Sequence, residues 1–491
     1  MKKLVRTHLC IIIVISTLFL SACQANPGAN SINSKGDGAF DANVIISAQD
    51  HHDPDATQEL VYEEHFTSTD GSIEYFFRID TTISAGDMPV VQVSPHYLTE
   101  DDAERVAHAL FGNVEYYEAD PMFDPIYSKN EIQEKLARWS SYTTQDAIVQ
   151  LYGEERNDTA EIVKRFIEKY TKLYETAPEG NPHSVCQWEF KKESFYYEAE
   201  SEVSTLDTSN ENDNIQATVT IDGIHYLYKV SRRDNDDYKL NNVSLFLYDG
   251  LGPDLIDENI FRAQLCRTHE PTDQSLSIAK DKAENILTEI ELGEWMVDQC
   301  YVETIYYGDT PEYIINVTAV PVFSDVPVVR QNQITNLKSE ESYASNYYLT
   351  DASFQFSANG DLVSFNLTSP VDVMDIINSN VAVMSTDELI DIAEANLVLR
   401  DYYEYDELGL IGISDEKLKC EVTICDIEYS LARVKVPNTD ESYYYVPALA
   451  IYGVVEYSGK DCGEVFYVSE EPIILLTINA VDGTVITTTN S

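Results

Sequence analysis

Basic residues are scarce in this sequence. Its 491 residues include 32 Lys and Arg against 85 Asp and Glu, which gives a formal net charge of −53 at pH 7. Proteins that bind nucleic acid or anionic lipid headgroups neutralise phosphates with Lys and Arg, so the composition excludes nucleic acid as a partner. An acidic surface that keeps an exported protein soluble is the interpretation we favour, with a cation-binding role as the alternative.

The linear motifs of several enzyme classes are also missing. The chain has no His-Glu-x-x-His, no Gly-x-Ser-x-Gly, no phosphate-binding Gly-x-x-x-x-Gly-Lys and no dinucleotide fingerprint. Ser277-Ile278-Ala279-Lys280 and Ser414-Asp415-Glu416-Lys417 match Ser-x-x-Lys, but no Lys-Thr-Gly follows either. We therefore predict a protein that is not an enzyme, with no catalytic residues and no cofactor.

Metal-binding patterns are absent too. No Cys-x-x-Cys or Cys/His zinc spacing occurs, and His51-His52-Asp53-Pro54-Asp55 fits no ligand spacing. Asp234, Asp236 and Asp237 could attract calcium, but the glycine and terminal glutamate of an EF-hand loop are missing around them. We expect no metal site.

No apolar run is long enough for a permanent membrane helix, which needs about 20 residues. The apolar run from Leu9 to Leu20 follows a basic start and ends at Leu20-Ser21-Ala22-Cys23. That ending resembles the lipobox of bacterial lipoproteins. The resemblance implies that residues 1–22 are a signal peptide and that the Cys23 sulfur carries a diacylglyceryl group. An ordinary secretory signal cleaved nearby is the alternative.

The lipobox resemblance also implies a location, namely the extracytoplasmic face of the cell membrane. Its partner there would be the membrane itself, reached through the diacylglyceryl anchor on Cys23. Residues 24–43 are rich in Asn, Gly, Ser and Ala, so we assign 23–59 to the lipidated cysteine and a flexible tether.

Six further cysteines fall in the exported part of the chain. An even number permits three disulfides in an oxidising compartment, but buried free thiols are equally compatible with the sequence. If Cys420 and Cys425 share one strand, their separation of five places them on opposite faces, so we expect no bond between them without a bulge. The six are Cys186, Cys266, Cys300, Cys420, Cys425 and Cys462.

Alternating and helical patterns divide the rest of the chain. The segments from Tyr62 to Phe66 and from Ile73 to Ile83 predict a β-hairpin. Thr99 and Gly112 bracket an apolar pattern of helical period, and similar patterns predict helices near 132–139, 143–153 and 162–174, the last being the longest. A second hairpin is predicted between Ile215 and Val230 around an Asp-Gly turn.

Two later segments read as a duplicated unit. Ser275 begins a predicted helix that carries Ala283-Glu284, and Ser385 begins another that carries Ala393-Glu394 at the same offset. Antiparallel strands follow each helix. A helix packed on one side of such strands gives an α+β layer structure.

Two family resemblances bear on these segments. Met88 to Pro95 with the helix to Gly112, and Asn130 to Leu136, resemble an uncharacterised family of clostridial lipoproteins. The helix followed by strands, with Tyr445-Val446-Pro447-Ala448 and Asn479 to Gly483, is similar to PepSY-like and cystatin-like units of exported bacterial proteins. Leu449 stands where that family commonly has an aromatic residue. The second resemblance implies a binding or regulatory module.

The expected fold class is α+β, with a mixed domain over 60–260, a first helix-plus-strands repeat over 261–380 and a second over 381–491. The expected function is a lipid-anchored, non-catalytic binding or regulatory module at the cell envelope, with a protein or glycan ligand. One alternative is an extracytoplasmic glycosidase or peptidase whose site no linear motif reveals. Another is a carbohydrate-binding surface lipoprotein, suggested by 33 Tyr, many of them adjacent so that one ring of each pair would face solvent.

Overall fold

A computed structural model describes most of the chain from residue 58 to residue 486. The described residues are 58–69, 71, 73–119, 127–141, 159–180, 182–193, 212–222, 224–235, 238–247, 262, 265–307, 310–329, 350–398, 418–435, 442–459, 465–468 and 472–486. None of the helices among them is both long and apolar enough to cross a bilayer.

The fold is of the α+β class, as the sequence predicts, with five helices and nineteen strands among the described residues. The helices are α1 (Glu100–Phe111), α2 (Lys129–Ser141), α3 (Thr159–Tyr174), α4 (Asp273–Ile290) and α5 (Thr386–Leu397). The strands are β1 (Gln58–Thr67), β2 (Ile73–Ile83), β3 (Val90–Pro95), β4 (Tyr117–Glu118), β5 (Lys191–Glu193), β6 (Asn212–Ile221), β7 (Ile224–Asn235), β8 (Tyr238–Leu247), β9 (Trp295–Tyr307), β10 (Thr310–Phe323), β11 (Val326–Pro327), β12 (Asp351–Phe356), β13 (Leu362–Thr368), β14 (Val371–Asn378), β15 (Leu418–Lys435), β16 (Tyr443–Gly459), β17 (Val465–Val468), β18 (Ile473–Asn479) and β19 (Val485–Ile486).

The chain forms two compact units. The terminal unit contains the described residues that fall within Met1–Val93, Val328–Ser342 and Met374–Ser491, and the central unit contains those within Ser94–Pro327 and Tyr343–Val373. Each unit contains one large sheet, of nine strands in the terminal unit and ten in the central unit.

In the terminal unit, both ends of the described chain share one sheet. Its strand order is β1-β2-β15-β16-β18-β19, and β2 runs parallel to β15 with Ile73 opposite Cys420. Helix α5 covers one face of the sheet and packs its apolar side against a core of strand residues. That core includes Phe77, Leu389, Ala393, Leu397, Val422, Ile451 and Ile478.

In the central unit, the strand order is β11-β10-β12-β13-β8-β7-β6-β4. Helices α1 and α4 cover one face. The Tyr228 hydroxyl donates to the Ala103 carbonyl of α1 at 2.8 Å, and Cys300 Sγ lies 3.6 Å from the Leu276 carbonyl of α4. The buried side chains between helices and sheet include Ala107, Val230, Leu245, Ala283, Val317, Phe354 and Phe365. This packing leaves the opposite face of the sheet uncovered by α1 and α4.

Each unit contains a helix followed by four antiparallel strands that pair in succession. In the central unit α4 precedes β9, β10, β12 and β13, and in the terminal unit α5 precedes β15, β16, β18 and β19. The two segments therefore share both the order of elements and the order of strand pairing.

A glycine turn touches the helix in both segments. A Cβ on Gly360, between β12 and β13, would lie 2.9 Å from Ile278 of α4, and a Cβ on Gly483, between β18 and β19, would lie 2.7 Å from Ile392 of α5. Both glycines have positive φ, which is strained for other residues. Close approach of turn and helix thus requires glycine at both places.

The predicted domain boundaries do not coincide with the two units. Residues 60–260 contribute β1 and β2 to the terminal unit but β6, β7 and β8 to the central unit, where β8 pairs with β13. The reason is long-range strand pairing, which periodicity along the chain does not report.

Most local predictions agree with the structure. Thr99 caps α1 with a capping box and Gly112 ends it at φ 69°, and both predicted hairpins are present. Two details differ. The longest helix is α4 and not α3, and α4 is capped by Thr272, with Ser275 as the third helical residue whose side chain completes the capping box. The helix predicted over 143–153 lies outside the described residues.

Candidate functional site

The face of the central sheet opposite α1 and α4 carries polar side chains from strand after strand. Neighbouring residues in the pairing register lie on the same face, so the registers define rows that cross the sheet. One row includes Tyr301, Asn316, Gln355, Ser364 and Phe246, from β9, β10, β12, β13 and β8, and continues to Leu227, Thr218 and Tyr117. A second row extends from β9 to β6 and consists of Gln299, Thr318, Ser353, Asn366, Ser244, Lys229 and Gln216. We call these two rows the polar face.

A chain of hydrogen bonds runs along the first row. The Ser364 hydroxyl donates to Gln355 Oε1 at 3.0 Å, and Gln355 Nε2 donates to Asn316 Oδ1 at 3.1 Å. Asn316 Nδ2 then donates to Glu303 Oε2 on β9 at 3.0 Å. Each amide is therefore oriented, with its carbonyl toward β13 and its NH₂ toward the Glu303 carboxylate.

A second chain of hydrogen bonds orients the amides nearer β8. Asn242 Nδ2 donates to Asn366 Oδ1 at 2.8 Å, and Asn366 Nδ2 donates to Thr368 Oγ1 at 2.8 Å. Asn242 and Thr368 are opposite each other in the register, two pairs along from Ser244 and Asn366 and therefore on the same face. The fixed side chains therefore extend across both strands.

The oriented amides keep hydrogen-bonding capacity for a ligand. A side-chain NH₂ has two N–H donors, and each of the hydrogen bonds above uses one. Gln355, Ser364 and Asn366 are half-buried, so they are held by neighbours but retain exposed surface. Preorganised polar groups of this kind bind without the entropy cost of ordering them first.

The polar face is low in charge for so acidic a chain. Its two rows contain Lys229 and no carboxylate, and the carboxylates beside them are Glu303 and Asp351. Burial raises the pKa of Asp351, against the opposing effect of its hydrogen bond with Thr368, and so disfavours its charged form.

The corresponding face of the terminal sheet differs in chemistry. Pairing in the same order places β16 where β10 stands, and the residues there include Ala448 and Ala450, which pack with Ala432 and Val329. All four are buried. The shared arrangement of helix and strands is therefore compatible with an apolar face, and does not itself require the amides and hydroxyls of the central unit.

A histidine clamp lies near the start of α1. His96 Nε2 is 3.0 Å from Asp102 Oδ2 and His96 Nδ1 is 2.9 Å from Asp372 Oδ1. Burial lowers the pKa of His96, but the two carboxylates outweigh it and the pKa is raised. Hydrogen bonds from Thr99 and His96 hold the pKa of Asp102 below its usual range despite burial. Both ring nitrogens are engaged, so the clamp has the geometry of a structural contact and not of a general base.

Glu312 has a raised pKa but a structural setting. Burial raises its pKa, while Arg267 Nε at 2.8 Å and Arg262 Nε at 3.3 Å oppose the shift. The positive charges of the two arginines offset the negative charge of this carboxylate. A glycosidase needs instead two carboxyl groups on either side of a substrate.

The remaining sequence candidates are placed as follows. Cys23, His51 to Asp55 and the second Ser-x-x-Lys lie outside the described residues. Ser277 and Lys280 are exposed on α4, where Lys280 pairs with Glu284 at 3.9 Å. Within the described part of the chain, no group of three or more His, Cys, Asp or Glu could hold a metal ion.

Five of the cysteines are described, and all five are free: Cys186, Cys266, Cys300, Cys420 and Cys425. Burial raises the pKa of the Cys266 and Cys420 thiols to about 12, and the other three are also raised. Neutral thiols are poor nucleophiles and poor metal ligands. Cys462 lies outside the described residues.

Tyrosines belong mainly to the cores. Tyr97 and Tyr306 are exposed, whereas the buried set is Tyr75, Tyr116, Tyr170, Tyr226, Tyr228, Tyr443, Tyr444, Tyr445, Tyr452 and Tyr457. The expectation that adjacent tyrosines alternate between core and solvent is wrong for 443–445. Nearly all residues of β16 are buried, including consecutive residues whose side chains lie on opposite faces of the strand.

Sequence reasoning did not find the polar face. Its members stand far apart in the chain, and Asn316, Gln355 and Ser364 become neighbours only through strand pairing. The available signal was the alternation of Ser, Gln and Asn with apolar residues in 351–356 and 362–368, which marks one polar side of each strand.

Comparison with known proteins adds little. No family model matches the chain, and no curated protein matches it. A crystal structure of an uncharacterized protein from Eubacterium rectale ATCC 33656 is similar over 87% of this chain and 93% of that chain, with 10% identity and a TM-score of 0.33. A score at that level supports no inference about fold or function.

Proposed function

We propose that this chain is a lipid-anchored binding protein on the extracytoplasmic face of a cell membrane, and that it is not an enzyme. The anchor is proposed from Leu20-Ser21-Ala22-Cys23 after an apolar run. The observation that carries the binding role is the polar face, where amides and hydroxyls from successive strands are fixed by hydrogen bonds and retain exposed surface.

The proposed anchor is physically sufficient. Each buried methylene contributes about 0.8 kcal/mol, and stable anchoring needs two acyl chains, which one diacylglyceryl group supplies. A tether of about 20 flexible residues has a root-mean-square reach of roughly 25 Å. The acidic body is repelled by anionic headgroups over a Debye length of about 8 Å at physiological salt, so the tether can hold it clear of the bilayer.

The chemistry of the first row of the polar face supports binding over catalysis. A serine nucleophile needs a base such as histidine or lysine to accept its proton. Ser364 donates instead to an amide oxygen, that of Gln355, which is not a base. Amide and hydroxyl groups in fixed orientations recognise ligands by hydrogen bonding and supply no group that transfers a proton at neutral pH.

The anchor is tested by Cys23→Ala in the full chain. We expect the variant to move from the membrane fraction to the medium, because no sulfur remains for the acyl chains. Cys10→Ala is the matched control, since it also removes a cysteine from the signal but leaves Leu20 to Cys23 intact, and it should stay with the membrane. Immunoblots of washed membranes and of culture medium give the readout. A Cys23→Ala protein that fractionates like the control would contradict the proposal.

A further inference from the structure

The geometry points to a neutral glycan as the ligand of the polar face. This inference rests on the proposed binding function and names the chemical class of its ligand. It is carried by three observations on the central sheet: oriented donors and acceptors, aromatic rings on both sides of the polar stretch of one row, and low charge.

The first observation concerns donors and acceptors. Sugars present hydroxyl groups, each of which both donates and accepts, and a matching surface must offer both functions side by side. Gln355, which is half-buried, uses one N–H and its carbonyl oxygen within the row and keeps a second N–H, while the buried Asn316 orients it. Ser353 and Ser244, also half-buried, add hydroxyls in the adjacent row. The face therefore offers both hydrogen-bond donors and hydrogen-bond acceptors to a ligand rich in hydroxyls.

The second observation concerns aromatic residues in the first row. Tyr301 on β9 is opposite Asn316, and Phe246 on β8 is opposite Ser364, so an aromatic residue flanks the polar stretch of the row on each side. Both rings are half-buried. Five strands with spacings of about 4.8 Å place these two residues about 19 Å apart, the span of a short oligosaccharide. Aromatic rings provide flat apolar surfaces on which the C–H faces of sugar rings can stack.

The third observation concerns charge. The whole chain carries a formal charge of −53, which repels anionic polymers. The polar face has no cluster of basic residues to offset that repulsion, since Lys229 is the one Lys or Arg in its two rows. Its chemistry therefore fits an uncharged polysaccharide, and an acidic one would be disfavoured.

Binding is tested with the full mature chain in detergent by affinity electrophoresis. The gels contain a soluble β-glucan, xylan, galactomannan or glycogen, with polygalacturonate as the anionic comparison. We expect at least one neutral polysaccharide to retard the protein while polygalacturonate does not. Retardation by polygalacturonate alone, or by none of the five, would overturn the glycan assignment.

Substitutions locate the site on the sheet. Gln355→Ala and Asn366→Ala should each weaken binding about tenfold or more, and Tyr301→Ala should weaken it while Tyr301→Phe retains it. Gln187→Ala and Asn359→Ala are matched controls, because both remove exposed amides elsewhere in the central unit. Thermal melts identify any variant that fails to fold, and Tyr301→Phe then remains the informative comparison. Equal weakening by the controls would place the binding elsewhere and overturn the assignment.

A photo-crosslink separates failure of the glycan assignment from failure of the binding function. A benzoylphenylalanine placed at Phe246 in living cells should form a product that shrinks on glycosidase treatment. A product that is protease-sensitive and glycosidase-resistant would overturn the glycan assignment while the binding function stands. No product, together with no retardation in the gels, would overturn both at this face.

Discussion

His96 is the residue whose ionisation most directly affects a contact between elements of the central unit. It stands just after β3 and bridges Asp102 in the first turn of α1 and Asp372 in β14, while its backbone N–H donates to the Pro370 carbonyl at 2.8 Å. The Asp102 side chain is 6% exposed, whereas Asp372 is 59% exposed, so most of the interaction energy should come from Asp102.

The clamp predicts a pH-dependent stability. Because the folded pKa of His96 is raised above 6.5, its contribution is fully present below pH 6.5 and is lost as pH rises through the folded pKa. His96→Gln should lower the free energy of unfolding by about 1 to 2 kcal/mol at pH 6, a value typical of a charge-assisted hydrogen bond, and by less at pH 9. Urea unfolding at several pH values measures the difference.

The same helix offers a control for that experiment. His108 lies on α1 with 43% of its side chain exposed, and its nearest carboxylate, Glu104, is 3.9 Å away. His108→Gln should change stability by less than about 0.5 kcal/mol at every pH. A loss for His96→Gln that is the same from pH 6 to pH 9 would contradict a role for the protonated imidazole.

Among the elements, β16 is packed tightly on both faces. It is buried at nearly every position and crosses β18 and β15 at Gly453, where an added Cβ would lie 2.5 Å from Leu475 Cδ1 and 2.7 Å from the Thr423 carbonyl oxygen. The leucine can rotate, but the backbone oxygen cannot move without disturbing the β15–β16 pairing.

Gly453→Ala should therefore destabilise the terminal unit by about 1 to 3 kcal/mol, the usual cost of overpacking a core. Urea unfolding followed by circular dichroism measures it. Gly180→Ala serves as the matched control, because its Cβ would meet nothing within 4 Å, and its effect should stay within about 0.5 kcal/mol. Equal stability of the two variants would show that β16 has space at Gly453.

Elements also show where sequence reasoning succeeds. Thr99 and Ser385 cap α1 and α5 as predicted, because a cap is a local pattern of four residues. The predicted start of α4 is wrong by one turn, since Thr272 and Ser275 both suit a cap; the structure shows Thr272 as the cap and Ser275 as the third helical residue, with each side chain accepting from the other's backbone N–H. The parallel pairing of β2 with β15 and the rows of the polar face were not predicted, because they depend on registers between distant segments.

At the scale of the whole molecule, charge is the dominant imbalance. With 85 acidic and 32 basic residues, self-repulsion destabilises the compact state at neutral pH and low salt. Raising NaCl from 10 mM to 500 mM shortens the Debye length from about 30 Å to only a few ångströms, which removes most of that repulsion.

We therefore expect the melting temperature to rise by several degrees with salt at pH 7, at about 2 to 4 °C for each kcal/mol gained in units of this size. The internal control is the same titration near pH 4.2, the sequence pI, where net repulsion vanishes and the rise should disappear. Differential scanning fluorimetry gives both curves. A melting temperature that falls with salt at pH 7 would mean that specific ion pairs outweigh the general repulsion.

The terminal sheet pairs strands from the early and the late part of the chain, which has a consequence for biogenesis. Ile73 of β2 finds its parallel partner in Cys420 of β15, which is synthesised much later. At about 5 to 20 residues per second, that partner emerges from the ribosome roughly tens of seconds after β2. Until then the β1–β2 hairpin has an unpaired edge, so the terminal unit cannot complete its sheet before the C-terminal segment has been made. Because this sheet is completed late, the N-terminal strands remain incompletely folded until the C-terminal strands have been synthesised.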